Sequence, residues 1–153
     1  MIHMNRPQDE VLDAVECWRL LATETMGRLA TATDHGVRIW PVNYRTRGEA
    51  LIFRSDPGSK VWDIASNAHV SFEIDGSEDD THWSVVVTGR AEVIDDDEPW
   101  PHVPHEEIVT LNPGAKRILL RITPATVSGR RFTAAVASTS LWGGRPVAWR
   151  SPS

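Results

Sequence analysis

The sequence predicts a mainly β fold: an antiparallel barrel, closed or nearly closed, with helices at its periphery. Three observations lead there. Helical spacing of apolar residues fills one long stretch near the amino end, before any strand-like run. After it, Val70, Phe72 and Ile74 alternate with Ser71, Glu73 and Asp75, and Trp83–Ile94 is long and rich in Val and Thr. Between the runs stand hairpin turn signals, with a single short helical stretch inserted after Gly58. A chain of 153 residues suits one domain, 1–153, with a helix over 7–25, a barrel over about 27–133 and a tail over 134–153.

Pro7 suits a first helical turn, and Asp9 and Glu10 favour its positive end, so the first helix is expected from Pro7 to Thr25. Val11, Ala14, Val15, Trp18, Leu21 and Ala22 recur at helical spacing as its apolar face. Cys17 lies just off that stripe, mid-helix behind Glu16, and reads as packing rather than as a reactive thiol. Gly27 ends the pattern. Arg28–Thr33 reads as a strand, and Asp34-His35-Gly36 turns the chain back along Val37–Arg45. Pro41 in that strand cannot donate to a ladder, which implies a bulge or an edge. A turn at Thr46–Glu49 leads to the strand Ala50–Ser55. Ser59 then falls at an N-cap position, and Val61, Ile64 and Ala65 have the spacing of a short helix turned to the sheet. Asp75–Thr81 is an acidic loop whose spacing fits no calcium loop, so a solvated turn is expected. Gly89 marks a bulge where a barrel strand bends. Arg117–Thr123 and Thr126–Phe132 are two further runs joined through Pro124.

The stretch Arg38–Lys60 carries the chemistry. A helix start at Ser59 offers unpaired backbone N–H groups, and with the Ser59 hydroxyl, the Lys60 ammonium and the Arg54 guanidinium it suits a phosphate. Ordinary turn and capping chemistry explains Pro-Gly-Ser equally well, and the P-loop pattern fails. His102, His105, Glu106 and Glu107 lie among prolines at no metal-ligand spacing, so no metal is expected. A formal charge of -5 disfavours nucleic acid as a partner. No apolar run approaches the ~20 residues of a membrane span. One cysteine and an amino end without an apolar leader fit a cytoplasmic setting. Seven Trp against one Tyr and three Phe suggest that some tryptophans line an interface or a flat ligand's pocket.

Several short motifs stand in one order: ECWRLL from Glu16, GRLATAT from Gly27, PVNY from Pro41, LIFRS from Leu51, the Gly58-Ser59-Lys60 turn, VSFEID from Val70 and WSVVVTGRAEVI from Trp83. A weaker echo, RITPATVSGRRF, begins at Arg121. In this order they resemble the pyridoxamine 5′-phosphate oxidase-like family of flavin-binding split barrels. The resemblance implies a split β-barrel and a homodimer with the cofactor at the subunit interface. It implies an oxidoreductase that uses FMN to move hydride to or from a small planar molecule, with deazaflavin, FAD or haem as alternative cofactors and a non-catalytic binding protein as the alternative role. Residue by residue, it places the flavin against Arg38, Pro41, Val42 and Asn43 on one strand and Phe53, Arg54 and Ser55 on the next. Ser59 and Lys60 would hold the phosphate, and Trp83 and Ser84 would come from the other subunit. Relatives tend to read G-W-S-V where this chain has His82-Trp83-Ser84-Val85, so His82 brings a side chain to the flavin's border. Trp83 or Trp142 is expected to cap the ring.

Overall fold

The structure, a computed structural model, describes residues 10–94 and 118–133. In chain order these form β1 (Glu10–Leu12), α1 (Ala14–Thr23), β2 (Met26–Thr33), β3 (Gly36–Arg47), β4 (Ala50–Ser55), α2 (Ser59–Ser66), β5 (His69–Glu78), β6 (Thr81–Ile94) and β7 (Ile118–Thr133). Strands β4, β3, β2, β5 and β6 make one antiparallel sheet, and β7 pairs with both of its edges. The sheet is thereby a barrel, as expected. Alternate residues point inward, so Leu29, Val42, Tyr44, Leu51, Phe53, Phe72, Ile74, Val85, Val87, Leu120 and Ile122 fill it.

The amino-terminal helix is shorter than its apolar spacing suggests. Asp13 has extended backbone and its carboxylate accepts the Glu16 N–H at 2.8 Å, an N-cap that starts α1 at Ala14. Glu10–Leu12 is instead a strand on β7, opposite Gly129–Arg131, where β4 no longer reaches. The buried face of α1 is Cys17, Leu20 and Leu21, while Val11 and Val15 face solvent. Cys17 is a packing residue: a Cβ at Gly129 would lie 2.7 Å from its Sγ, and burial, then Asp13 and Glu16, push its pKa up. At the far end of α1, the Tyr44 hydroxyl donates to the Leu21 carbonyl at 2.6 Å inside the core.

The two runs expected on either side of Pro124 are one strand. β7 crosses from Ile118 to Thr133 without a break, and its register against β6 shifts between Thr88 and Gly89. The bulge expected at Gly89 is therefore present, and it also absorbs Pro124, which lies opposite. Only glycine fits: a Cβ there would stand 2.2 Å from the Thr123 carbonyl oxygen. The acidic loop is tighter than expected. β5 and β6 run on to Glu78 and Thr81, leaving Asp79 and Asp80 as the turn, with Asp79 at φ 54.

Pro41 sits where the barrel parts. β3 pairs with β2 from Gly36 to Asn43, but with β4 only from Tyr44 to Arg47. The Tyr44 N–H donates to the Thr25 carbonyl, so by alternation Val42 and Trp40 also face β2, and Pro41 and Ile39 turn their backbone toward the open side. The proline's missing donor thus interrupts no ladder.

Candidate functional site

The amino end of α2 lies beside this open edge. The expected N-cap, Ser59, is in fact the first helical residue; the cap is Gly58, which has no side chain to accept from the first N–H groups. Glycine can follow the extended turn from Pro57, and the cost is a helix start whose first N–H groups receive no side-chain cap from that position. Lys60 is half-buried, its ammonium 5.6 Å from the centre of the Trp40 ring. Burial pushes the Lys60 pKa down from the usual lysine value, and Asp56 pulls it partly back. Asp56 Oδ1 is buried and has no hydrogen-bond partner among the described residues.

Behind Lys60 runs a chain of side chains that the sequence pattern did not single out. Trp40 donates its indole N–H to the Thr31 hydroxyl at 3.0 Å, and Thr31 donates to Asp63 Oδ2 at 2.9 Å. Thr31 and Asp63 are both buried, and Arg38 Nε lies 3.7 Å from the same carboxylate oxygen. Asp63 occupies the buried face of α2 beside Ile64, whereas Ala65, expected on that face, is exposed. An Asp one turn after Lys60 was the available signal, since i and i+3 share a helix face.

The expected site residues fall into three groups, with Ser84 apart from them. Arg38 lies against Asp63 and Lys60 over Trp40, the two ends of one chain of side chains, and Ser59 is exposed at the start of α2. Pro41 and Asn43 lie along the open edge, and Arg54 and Ser55 end β4 just before the Asp56 loop, where the Ser55 hydroxyl donates to the Asp56 carbonyl at 3.0 Å. Val42, Phe53 and Trp83 point into the barrel, and Trp83 is 2% exposed, so its indole does not present a face to a ring outside this subunit's core. Ser84 is half-buried at the start of β6. It lies seven residues before Ala91, whose N–H donates to the Ala68 carbonyl just beyond the carboxyl end of α2. His82 is exposed on the outer surface, its Nδ1 2.7 Å from the Ser77 hydroxyl and its ring beside Phe132. Trp142 and the four His and Glu residues considered for a metal lie outside the described residues. Among the described residues no group of three or more His, Cys, Asp or Glu is placed to hold a metal ion. No described helix is long and apolar enough to cross a membrane.

The sequence profile of pyridoxamine 5′-phosphate oxidase matches residues 13–131. The chain belongs to that family. A Corynebacterium glutamicum protein, described as a candidate pyridoxamine 5′-phosphate oxidase, is 28% identical with a TM-score of 0.74, over 82% of this chain and 99% of that one. An FAD-binding protein from Mesorhizobium loti is 27% identical with a TM-score of 0.72, over 84% of this chain and 99% of the other. An uncharacterised Rhizobium meliloti protein is 37% identical over 81 residues, 52% of this chain and 54% of that protein, so the match spans about half the relative's length. The family's split barrel is the fold seen here, with its split at the open edge of β3.

Proposed function

We propose that this family member binds a flavin through the phosphate and ribityl portion common to FMN and FAD, FMN being the cofactor, and that it serves as an oxidoreductase for a small planar molecule. The carrying observation is Lys60: a half-buried ammonium at a helix start whose cap has no side-chain acceptor. A desolvated cation beside uncapped helix N–H donors is unfavourable alone, and a phosphate would offset both. The FAD-binding relative from Mesorhizobium loti supports a flavin as the bearer of that phosphate.

The residues present fit such a group. Lys60 and Ser59 would hold the phosphate, with Arg54 at the end of β4 close in sequence. The buried Asp56 Oδ1 is an acceptor without a donor among the described residues, which suits a ribityl hydroxyl. Along the open edge of β3, backbone groups of Ile39 would meet the polar border of the ring. When bound, a flavin supplies the redox chemistry at its ring. The chain's own work is to anchor the phosphate, orient the ring against β3 and exclude water.

In a homodimer a second copy would bring Ser84 to the ring. The outer faces of β2 and β3 suit such a contact. Val37 is 71% and Ile39 69% exposed, and by register they join Ala30 and Ala32 in one apolar surface, bordered by Arg28 opposite Pro41. A groove of about 530 Å³ lined by Ala30, Ala32, Val37, Ser71 and Thr88 continues it. The buried single Cys17 is in keeping with a reducing, cytoplasmic setting.

The test is an absorption spectrum of the purified protein, identification of any released cofactor by mass, and titration with FMN alongside a measurement of oligomeric state. About one FMN per subunit of a dimer, reoxidised by an added acceptor after reduction, is the expected result. Binding without turnover would leave a flavin carrier, and no binding of FMN or FAD would overturn the proposal.

A further inference from the structure

We infer that Thr31 and Asp63 are positioning residues for the phosphate end of the cofactor, acting through Trp40 on Lys60; this rests on the phosphate site proposed above. The direction of the hydrogen bonds is fixed by chemistry. An indole N–H only donates, so the Thr31 hydroxyl accepts from Trp40 at 3.0 Å and must give its own proton to an acceptor, which is Asp63 Oδ2 at 2.9 Å. Each bond orients the next, and the plane of the Trp40 ring is set by two groups buried behind it. Lys60 stands over that ring at 5.6 Å, within the range in which an ammonium is attracted to an aromatic face. A lysine stem is flexible, and this face narrows the positions its charge can take. The same carboxylate oxygen lies 3.7 Å from Arg38 Nε, so Asp63 also restrains the second cation of the cluster.

Every part of the relay has one task in the fold and another at the site. Thr31 faces inward on β2, Trp40 and Arg38 lie opposite Leu29 and Thr31 on β3, and Asp63 and Lys60 are one turn apart on α2. The relay therefore also ties α2 to the half of β3 that has left β4. A purely structural tie would influence all flavin contacts alike. A positioning relay influences the phosphate alone.

The experiment compares FMN with riboflavin, which lacks the phosphate, on the wild-type chain and on Thr31→Val and Thr31→Ser. Melting temperatures confirm that each variant is folded. The wild type is expected to prefer FMN. Thr31→Val, which keeps the shape and removes the hydroxyl, is expected to weaken FMN about fivefold, the factor of one mis-set hydrogen bond, and to leave riboflavin unchanged. Thr31→Ser restores the preference. An independent readout is the Trp40 indole N–H resonance, assigned by its loss in Trp40→Phe: it exchanges slowly with solvent in the wild type and fast in Thr31→Val. If Thr31→Val weakens both flavins equally, or leaves both as they were while the wild type still prefers FMN, the inference is overturned and the phosphate site stands. A wild type that binds the two flavins alike overturns the phosphate site and the inference together.

Discussion

Replacing Lys60 by Met should weaken cofactor binding and strengthen the empty protein, two effects of opposite sign from one residue. The side chain keeps its length and loses its charge. On the binding side, a charge-assisted hydrogen bond to phosphate contributes about 1.5–3 kcal/mol, so the dissociation constant for FMN should rise roughly 10- to 150-fold. Riboflavin should be bound as before. On the stability side, burial lowers the Lys60 pKa in the fold, with Asp56 opposing. The folded state then holds its proton less tightly than the unfolded chain, so this lysine costs stability at neutral pH, and the cost fades as pH rises toward the usual lysine value. Met removes that cost and also the attraction to Trp40, about 0.5–1 kcal/mol at a partly exposed site. The expected balance is a melting temperature unchanged or raised at pH 7, with a gain that shrinks toward pH 10. Isothermal titration with both flavins and thermal melts of the flavin-free protein across pH measure the two halves. Equal weakening of riboflavin and FMN would refute the placement of the phosphate, and a clear drop in melting temperature would refute the account of Lys60 as a desolvated cation.

Three further outcomes are expected. Gly89→Ala places a methyl group 2.2 Å from the Thr123 carbonyl, and because backbone must move, urea unfolding should show a loss of about 1–3 kcal/mol. Asp13→Ala removes the acceptor of the Glu16 N–H at the start of α1 and should cost about 1 kcal/mol in the same assay. Glu16 is held at about 2 by its hydrogen bonds to Arg19 and Arg131. Its folded pKa lies below the unfolded one, so its contribution is present above about pH 4.5 and is lost as pH falls toward 2. Glu16→Gln should therefore flatten the acid limb of the stability curve, and an unchanged limb between pH 4.5 and 2 would contradict that assignment.

Much of the barrel was legible because its strands follow period two. The alternation of Val70, Phe72 and Ile74 is the inward row of β5, and Gly89 and Pro41 mark the two irregular places, each for a reason visible in the residue itself. The amino end was misleading because Val11 and Val15 have helical spacing yet face solvent; a cap at Asp13 outweighs a pattern, since it satisfies a donor that would otherwise be unmet. Pro124 suggested a break, but the bulge opposite Gly89 gives a proline a place within a strand. At the candidate site, Lys60, Arg38 and Ser59 could be read from local chemistry and resemblance. Thr31, Trp40 and Asp63 could not, because their relation spans β2, β3 and α2 and arises only when the chain is folded. The burial of Trp83 follows from its inward place in the alternation of β6.

The double role of β7 has a consequence for how the chain comes off the ribosome. Until β7 is made, β4 and β6 are the two free edges of a five-stranded sheet, and both wait for the same segment. Translation from residue 94 to residue 133 takes roughly 2–8 s at ~5–20 residues per second. Pairing of β5 with β6 needs only microseconds once they emerge. The β5–β6 hairpin can thus form seconds before its other partner strand exists, with the far side of β6 unpaired. Until Thr133 is made, that edge and the edge of β4 lie open to other chains.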